Sequence, residues 1–300
     1  MRILFTGLPY FGKNLVKDLN QIDPHNQYIF CDTYYSLSGK IKFALLVKFA
    51  DKVVSFNGAS SKSKALDLAL KYKKKLIMQW HGSDVLTLQA GIKNGTFEKK
   101  YIEHAVCATD ASWLQQELQD AGVKAALHPF KYVEASVSGA SFKSKSVVSY
   151  LGEGKEKFYG IEYILQLAQL HPDIHFHLTG TKGSSVNAPS NVHFYGWVSK
   201  TEMQALLNEH PIYLRLTEHD GYALSVMEAI ANGNYVLWNQ PHERVFCANN
   251  PTEVPGVFQK VLLSFDQKQG VRLGENIAWA KEHLDKTKIL ESYARFIKTS

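Results

Sequence analysis

The chain has 300 residues, of which 45% are hydrophobic and 12% aromatic. This length suits two ordinary domains, and this composition excludes a largely disordered protein. The formal net charge of +6 is uneven, because residues 1–150 hold 20 Lys and Arg against 12 Asp and Glu, which leaves the second half slightly acidic. The basic first half indicates either an anionic partner or simply a soluble surface.

The predicted strands and helices of the first half alternate along the chain. Strands are predicted over RILFT, QYIFCDTYY, KVVSF, KLIMQW, HAVCA and VKAAL. Helices are predicted from about Gly12 to Asn20 and over GKIKFALLVKFA, SKSKALDLALKYKK and ASWLQQELQDAG. Serines are available to cap the helix that begins SKSK. This alternation is typical of βαβ units and a parallel sheet.

Residues 134–146 break the alternation, because they are rich in Ser, Gly and Lys and show no hydrophobic period. We interpret them as a linker. Further strands are then predicted over VVSYLG, DIHFHLTG, NVHFYG, PIYLRLT and YVLW, with helices over FYGIEYILQLAQL, TEMQALLNEH and YALSVMEAIA, and mostly helix from about Pro251. The sequence therefore predicts an α/β fold of two doubly wound, Rossmann-like halves. A ligand is expected in the cleft, at the carboxyl ends of the strands.

The cysteines and the apolar runs indicate the compartment. Cys31, Cys107 and Cys247 are widely spaced and form no C-x-x-C pair, which favours a reducing compartment and argues against structural zinc. The apolar run near the N-terminus is too short for a signal peptide, and no run approaches the roughly 18 residues that cross a bilayer. We expect a cytoplasmic protein, with peripheral contact to a membrane as a further possibility.

One predicted helix, YALSVMEAIA, is apolar except for Ser225 and Glu228. A helix of this kind is buried on all sides, and a buried carboxylate costs several kcal/mol unless it is bonded to something. Two explanations are open for Glu228. It binds a ligand with paired hydroxyls, such as a ribose, or it forms an internal ion pair, for example with Arg215 on the preceding strand.

Asp220 lies just before the predicted start of the same helix. The free N–H groups of Gly221, Tyr222 and Ala223 form a site for an anion at the helix N-terminus. Asp220 is also in a position to cap that helix, which is the common role of Asp there. A cap does not account for Glu228.

The segment HDGYALSVMEAIANGNYV resembles the motif of two acids seven residues apart in family-4 retaining glycosyltransferases, which have the GT-B fold of two facing Rossmann-like domains. Three other segments are similar to parts of that family in the same order: IMQWHGSDVL, YLGEGKEKFYGIEYILQLAQLHPDIHFHLTG and NVHFYGWVSKTEMQALL. The likeness covers most of residues 76–240. It implies an acceptor-side domain at 1–143, a nucleotide-sugar-binding domain at 144–275, and terminal helices at 276–300 that return to the first domain.

The resemblance implies a role for each matching residue in binding a nucleotide-sugar donor. Glu228 would bind the ribose hydroxyls, Asp220 would contact the donor sugar, and His81 would face the transferred sugar. His81 is equally open to a purely structural role. The donor's sugar, phosphates and base would also meet backbone and side-chain groups at Gly221, Tyr222, Ala223, Leu224, Trp197 and Val198.

The chain departs from the family pattern at three places. The first acid is Asp220 where Glu is usual, and Glu218 is near enough to compensate. Glu153 and Tyr159 occupy the positions of the usual Arg and Lys that neutralise the diphosphate. Lys155, Lys157 and Arg215 are candidates to replace these two cations. Lys157 and Arg215 are favoured. The loop GLPYFGK replaces the usual Gly-Gly loop, so Gly7, Gly12 and Lys13 are expected to line the cleft.

We therefore expect a retaining glycosyltransferase. The chain contains no Asp-x-Asp motif, so helix N–H groups and Lys or Arg, rather than a metal, are expected to stabilise the departing phosphate. The expected chemistry is front-face attack by the acceptor hydroxyl. His175 and His177 share one strand face but lack an evident third ligand, so no metal site and no cofactor are expected.

Other classes of protein remain as alternatives. One is a catalytically inactive homologue that acts as a binding or partner subunit, and another is a nucleotide-sugar epimerase or a phosphorylase with pyridoxal phosphate. A nicotinamide dehydrogenase is disfavoured because no G-x-G-x-x-G follows a predicted strand, and no nucleic-acid-binding module is evident. The basic first half instead predicts a sugar or lipid-linked acceptor at an anionic membrane surface.

Overall fold

The computed structural model describes residues 1–134, 137 and 139–300. These residues form two compact units. The N-terminal unit consists of Met1–Lys131 with Lys286–Ser300, and the C-terminal unit consists of Tyr132–Asp285. Each unit has one six-stranded sheet, and all its described strand pairs are parallel. The predicted α/β fold of two Rossmann-like halves is confirmed.

Strands and helices alternate in the N-terminal unit, with the strand order β2-β1-β3-β4-β5-β6 in its sheet. The strands are β1 (Arg2–Gly7), β2 (Gln27–Phe30), β3 (Lys52–Phe56), β4 (Lys75–Trp80), β5 (Ala105–Thr109) and β6 (Ala125–Leu127). The helices are α1 (Pro9–Ile22), α2 (Leu37–Leu46), α3 (Lys64–Lys71), α4 (Ser83–Lys93), α5 (Lys100–Glu103) and α6 (Ser112–Asp120). Every residue of β3 is buried, as expected for a parallel sheet covered on both faces.

The C-terminal unit repeats this architecture, with the strand order β12-β11-β10-β7-β8-β9. The strands are β7 (Ser146–Tyr150), β8 (His175–Thr179), β9 (Val192–Gly196), β10 (Ile212–Arg215), β11 (Tyr235–Trp238) and β12 (Phe246–Cys247). The helices are α7 (Ile161–Leu170), α8 (Lys200–Glu209), α9 (Leu224–Ala231), α10 (Val254–Gln267) and α11 (Gly274–His283). Strand β10 is buried along its whole length.

The last helix of the chain, α12 (Lys286–Thr299), packs in the N-terminal unit. The buried Lys52 of β3 donates from its Nζ to the carbonyl oxygens of Ile297 and Lys298, both at 2.8 Å. A cation suits the C-terminal end of a helix, where carbonyl oxygens lack intrahelical partners. This contact ties α12 to the N-terminal sheet.

The observed division of the chain differs from the boundaries at 143/144 and 275/276 that the sequence suggests. Residues 132–143 and 276–285 belong to the C-terminal unit. Phe142 is buried in the core of that unit, and the Arg272 guanidinium lies 4.0 Å from the centroid of its ring. Burial of Phe142 and its cation–π contact with Arg272 hold this segment to the C-terminal unit.

The predicted linker at 134–146 includes residues 135, 136 and 138, which lie outside the described residues. Ser141, in the described part of that segment, pairs with Val271 in an antiparallel bridge. Among the described residues, no helix has both the length and the apolar character needed to cross a membrane.

Candidate functional site

Arg215 and Asp220 form a buried ion pair where β10 ends. The Arg215 Nε donates to Asp220 Oδ2 at 2.7 Å, and Nη2 donates to Oδ1 at 3.1 Å. Such two-pronged pairing fixes the orientation of both side chains. Burial alone would lower the pKa of Arg215, but the Asp220 carboxylate outweighs it and leaves the pKa raised. Arg215 therefore pairs with Asp220 and not, as one prediction had it, with Glu228.

Tyr159 packs against this ion pair. The Arg215 guanidinium lies 4.9 Å from the centroid of the Tyr159 ring, within cation–π range. The loop that carries Tyr159 is held to the turn after β10, because the Glu218 N–H donates to the Phe158 carbonyl oxygen at 2.8 Å. The loops that follow β7 and β10 therefore meet at the carboxyl edge of the sheet.

Glu228 is a half-buried carboxylate in the second turn of α9. No hydrogen bond or ion pair joins it to any residue that the structure describes. Burial raises the pKa of Glu228, and the charge of Lys200 acts in the opposite sense. A carboxylate that is partly desolvated and lacks a protein partner is costly unless a ligand completes it.

Tyr213 is a fully buried residue of β10. Its hydroxyl donates to Ser225 Oγ at 2.7 Å. Burial raises the pKa of Tyr213 to about 12, and the negative charges of Asp220 and Glu228 act in the same direction while Arg215 opposes them. The charges of Arg215, Asp220 and Glu228 therefore all act on one buried phenol, and Arg215 and Asp220 also form an ion pair.

The N-terminus of α9 has no side-chain cap. Its N-cap residue is Ala223, so the prediction that Asp220 caps this helix is wrong: the Asp220 carboxylate is turned to Arg215 instead. Among the described residues, none accepts a hydrogen bond from the N–H of Leu224 or of Ser225. Gly221 and Tyr222 lie in the turn just before the helix. The free N–H groups of Leu224 and Ser225 can receive an anion.

The loop after β9 carries Trp197 and Val198. The Trp197 side chain is 81% exposed, so a flat ring is available for stacking. Two residues on, Ser199 caps α8 in a reciprocal capping box with Glu202. The first residue of α8 is Lys200, whose charge lowers the pKa of Glu228 against the effect of burial.

Lys155 and Lys157 lie on the surface of the loop after β7. Lys157 Nζ is 3.9 Å from Glu162 Oε1, and both side chains are largely in water. An exposed pair of this kind contributes little to stability. Both lysines are therefore exposed cations of the loop after β7, whereas Arg215 is buried and already paired.

Gly12 has a packing role in α1. A Cβ at this position would lie 2.5 Å from the Phe30 ring, and the Gly12 N–H donates to the Leu8 carbonyl oxygen. The helix begins at Pro9, ahead of the predicted start, because Pro is well suited to the first turn. Close approach of α1 to β2 accounts for a glycine here.

In the N-terminal unit, His81 directly follows β4 with an unusual environment. Both ring nitrogens are buried and lack a hydrogen-bond partner among the described residues. The ring packs against Phe11, Phe56 and Phe130, with centroids 6.2, 4.9 and 5.1 Å away. Burial lowers the pKa of His81 well below its usual value, and the nearby Lys131 charge lowers it further. His81 is therefore a neutral imidazole with free hydrogen-bonding capacity.

Asp84 organises the loops around His81. Its carboxylate accepts the N–H of Gly58 at 2.7 Å, of His81 at 3.0 Å and of Gly82 at 2.8 Å. The loop after β3 is thereby tied to the loop after β4 at the start of α4. Sequence reasoning missed this role, although an Asp in the first turn of a helix is a recognisable signal.

A second buried pair lies at the end of β5. Lys131 Nζ is 2.8 Å from Asp110 Oδ2, and neither side chain is more than 7% exposed. Lys131 also lies 5.2 Å from the Phe11 ring centroid. Sequence reasoning missed this pair as well, yet Asp110 follows the apolar run AVCAT, and polar residues just after a parallel strand collect at the binding edge.

A cavity of about 700 Å³ opens in the N-terminal unit beside β3. Its wall combines three lysines, Lys40, Lys62 and Lys64, with the apolar side chains of Phe43 and Leu68. Serines and backbone from the loop at 58–63 complete it, and Asp84 also lines it. A site with cations over an apolar floor suits a ligand that has an anionic group and an apolar or sugar body.

Comparison with known proteins identifies the fold. No protein-family model and no curated protein matches the sequence. Among solved structures, sucrose-phosphate synthase from Thermosynechococcus elongatus superposes with a TM-score of 0.74 at 11% identity, covering 100% of this chain and 99% of that chain. Anabaena Alr3699/HepE in complex with UDP and glucose gives 0.69 at 12% identity, covering 100% of both chains.

The pneumococcal O-GlcNAc transferase GtfA in complex with UDP and GlcNAc gives a TM-score of 0.62 at 11% identity, covering 89% of this chain and 60% of that chain. These similar structures are glycosyltransferases of the GT-B type. The chain therefore has the GT-B fold. At these identities the likeness concerns architecture, and the roles of single residues are argued below from their own geometry.

Proposed function

We propose that the protein is a retaining, metal-independent glycosyltransferase that moves a sugar from a nucleoside diphosphate to an acceptor. The observation that carries this proposal is Glu228, a half-buried carboxylate without a protein partner beside free N–H groups at the start of α9. The two neighbouring hydroxyls of a ribose suit this carboxylate, because each can donate one hydrogen bond to a carboxylate oxygen. The UDP complexes of similar structures support a nucleotide at this fold.

The C-terminal unit supplies the groups that the donor requires. Glu228 binds the ribose, Trp197 and Val198 meet the base, and the N–H groups of Leu224 and Ser225 receive a phosphate oxygen. Departure of the diphosphate develops negative charge on those oxygens, which fixed N–H donors stabilise best. Because Asp220 already offsets the charge of Arg215, the remaining cationic role falls to Lys155 and Lys157.

Asp220 contacts the donor sugar in this proposal, with Arg215 as a positioning residue that fixes its carboxylate. His81 offers its free ring nitrogens to the hydroxyls of the transferred sugar. In this proposal the acceptor hydroxyl attacks on the face that the diphosphate leaves, and a diphosphate oxygen takes its proton.

The cavity of the N-terminal unit is proposed to hold the acceptor. Lys40, Lys62 and Lys64 favour an acceptor that bears a phosphate or another anionic group, such as a phosphorylated sugar or a lipid-linked sugar at a membrane. A catalytically inactive homologue is the second candidate, because the loop after β7 has Glu153 and Tyr159 where the family pattern has cations.

A thermal-shift screen with UDP, GDP, ADP and their sugars tests the proposal. A ligand at 100 times its dissociation constant should stabilise the folded protein by roughly 2.7 kcal/mol. Release of the nucleoside diphosphate in the presence of a chelator would then support a metal-independent enzyme, and NMR of the product would report its anomeric configuration. Stabilisation by a nucleotide without any release would favour the inactive homologue, and no stabilisation by any nucleotide would reject both.

A further inference from the structure

Helix α2 and the 3-10 turn Val47–Phe49 that follows it carry apolar side chains on two opposite faces. Gly39, Phe43 and Val47 are buried and fix the inner face against the unit. On the opposite side, four large side chains recur at every fourth position and remain in water. They are Leu37 at 74%, Ile41 at 53%, Leu45 at 62% and Phe49 at 60% exposure.

This stripe of Leu37, Ile41, Leu45 and Phe49, here called the α2 face, is bordered by lysines. At about 100° per residue, Lys40 and Lys42 lie on opposite flanks of Ile41, and Lys48 lies within the stripe. All three lysines are exposed. Residues 33–50 contain no Asp or Glu, so the face has a charge of one sign.

Further cations and aromatic rings lie at the two ends of the α2 face. Lys48 Nζ lies 4.6 Å from the Phe49 ring centroid, and Lys74 donates from its Nζ to the Lys48 carbonyl oxygen at 2.9 Å, which brings a further cation to this end. At the other end Tyr34 and Tyr35 are exposed just before the helix. Aromatic rings with a polar tip are characteristic of the interface between water and lipid.

We propose that the α2 face binds the surface of an anionic lipid bilayer. An exposed apolar stripe on a soluble unit marks an interaction site, and lysines on both flanks require negative charge on both sides of it. An anionic leaflet offers this, with acyl chains below a plane of negative headgroups. A second copy of the same face would instead set lysine against lysine without any acid to offset them.

The α2 face adjoins the proposed acceptor cavity, because Lys40 and Phe43 of the same helix line that cavity. Binding at the bilayer would present the cavity to a lipid-linked acceptor at its headgroup level. This link to the acceptor rests on the proposed function, whereas binding to the bilayer itself does not.

Co-sedimentation with vesicles tests the proposal. The probes are vesicles of phosphatidylcholine alone and of phosphatidylcholine mixed with phosphatidylglycerol. Wild-type protein should bind the mixed vesicles, bind the neutral ones at least tenfold more weakly, and dissociate from the mixed vesicles as salt is raised. The double variants Ile41→Gln with Leu45→Gln, and Lys42→Gln with Lys48→Gln, should each lose at least tenfold in binding.

The matched control is Leu170→Gln with Leu263→Gln, two exposed leucines of the C-terminal unit, which should bind as wild type. All variants should keep the wild-type thermal midpoint and the nucleotide-induced shift, so a failure of the donor proposal would be visible separately. Equal binding by wild type and the α2 variants, or no binding to mixed vesicles, would overturn the inference. Conversion of a wild-type dimer to monomer by the Ile41 and Leu45 changes, without vesicle binding, would also overturn it and assign the face to self-association.

Discussion

Two carboxylates of the C-terminal unit, Asp220 and Glu228, have opposite environments. Asp220 is satisfied by Arg215 through two hydrogen bonds, whereas Glu228 has no partner among the described residues and a raised pKa from burial. Burial without compensation is costly. Glu228 is therefore the acid that most needs a ligand as its partner, whereas Asp220 meets the donor sugar with a carboxylate that Arg215 already holds in place.

The Arg215–Asp220 pair gives a prediction at the scale of single residues. Removing one partner of a buried pair leaves an uncompensated charge, so Asp220→Asn should lower the free energy of unfolding by about 3 kcal/mol. The double change Arg215→Met with Asp220→Asn should cost less than that single change, because neither charge is left alone. Urea denaturation of Asp220→Asn, of Arg215→Met and of the double variant measures this coupling, and simply additive losses would show that the pair is not a coupled unit.

The contact between the loop after β7 and the loop after β10 depends on a glycine. Gly160 has φ +76°, and a Cβ there would lie 2.1 Å from the Leu216 carbonyl oxygen. The loop after β7 therefore approaches the loop after β10 only because residue 160 lacks a side chain. Gly154 shares the left-handed backbone, with φ +72°, but a Cβ there would meet nothing within 4 Å.

These two glycines form a matched pair for mutation. Gly154→Ala should cost about 1 kcal/mol for backbone strain alone, whereas Gly160→Ala should cost more by the added clash and should also weaken nucleotide binding. Chemical denaturation and nucleotide titration of both variants measure the difference. Equal losses of stability in the two variants would mean that contact between the loops has no role.

The sequence predicts elements well where the apolar pattern is local. The run KVVSF is a strand because each of its residues is buried in a parallel sheet. QYIFCDTYY, in contrast, ends as a strand at Phe30, because Asp32 Oδ1 accepts the N–H of Tyr34 at 3.1 Å and of Tyr35 at 2.9 Å. Such a side-chain turn overrides the propensity of the tyrosines for strands.

The site was predictable only in part, for a related reason. Glu228 could be identified because an acid within an otherwise apolar helical segment is recognisable from the sequence alone. The choice of Asp220 rather than Glu228 as the partner of Arg215 depends on the path of the turn at 216–223, which apolar periodicity does not encode. The Asp110–Lys131 pair joins residues from two separate loops, and no spacing rule connects them.

At the scale of the whole molecule, buried histidines should make stability depend on pH. In the C-terminal unit, His177 packs on His210 with ring centroids 3.8 Å apart, and His210 Nδ1 is 2.9 Å from Ser146 Oγ. Burial lowers the pKa of both to about 4, and for His177 the neighbouring His210 and His193 add to the effect. The ordinary pKa of histidine is about 6.5.

Between pH of about 4 and about 6.5, the folded state binds fewer protons than the unfolded state. The contribution of these histidines is therefore complete above pH of about 6.5, and it is lost progressively as pH falls towards about 4. His177→Gln should flatten the fall in the free energy of unfolding between these limits. Urea denaturation across the range measures the slope, and an unchanged slope in the variant would remove His177 from the explanation.

In the proposed function, the Glu228 carboxylate lacks a partner among the described residues because it binds the nucleoside of the donor. Isothermal titration of Glu228→Gln with the nucleoside diphosphate that stabilises the wild type tests it most directly, with Glu282→Gln on the exposed surface of α11 as the control. We expect Glu228→Gln to bind the nucleoside diphosphate at least about tenfold more weakly, from loss of a charged hydrogen bond, in a protein as stable as wild type. Wild-type affinity in that variant, or a variant that unfolds, would contradict it.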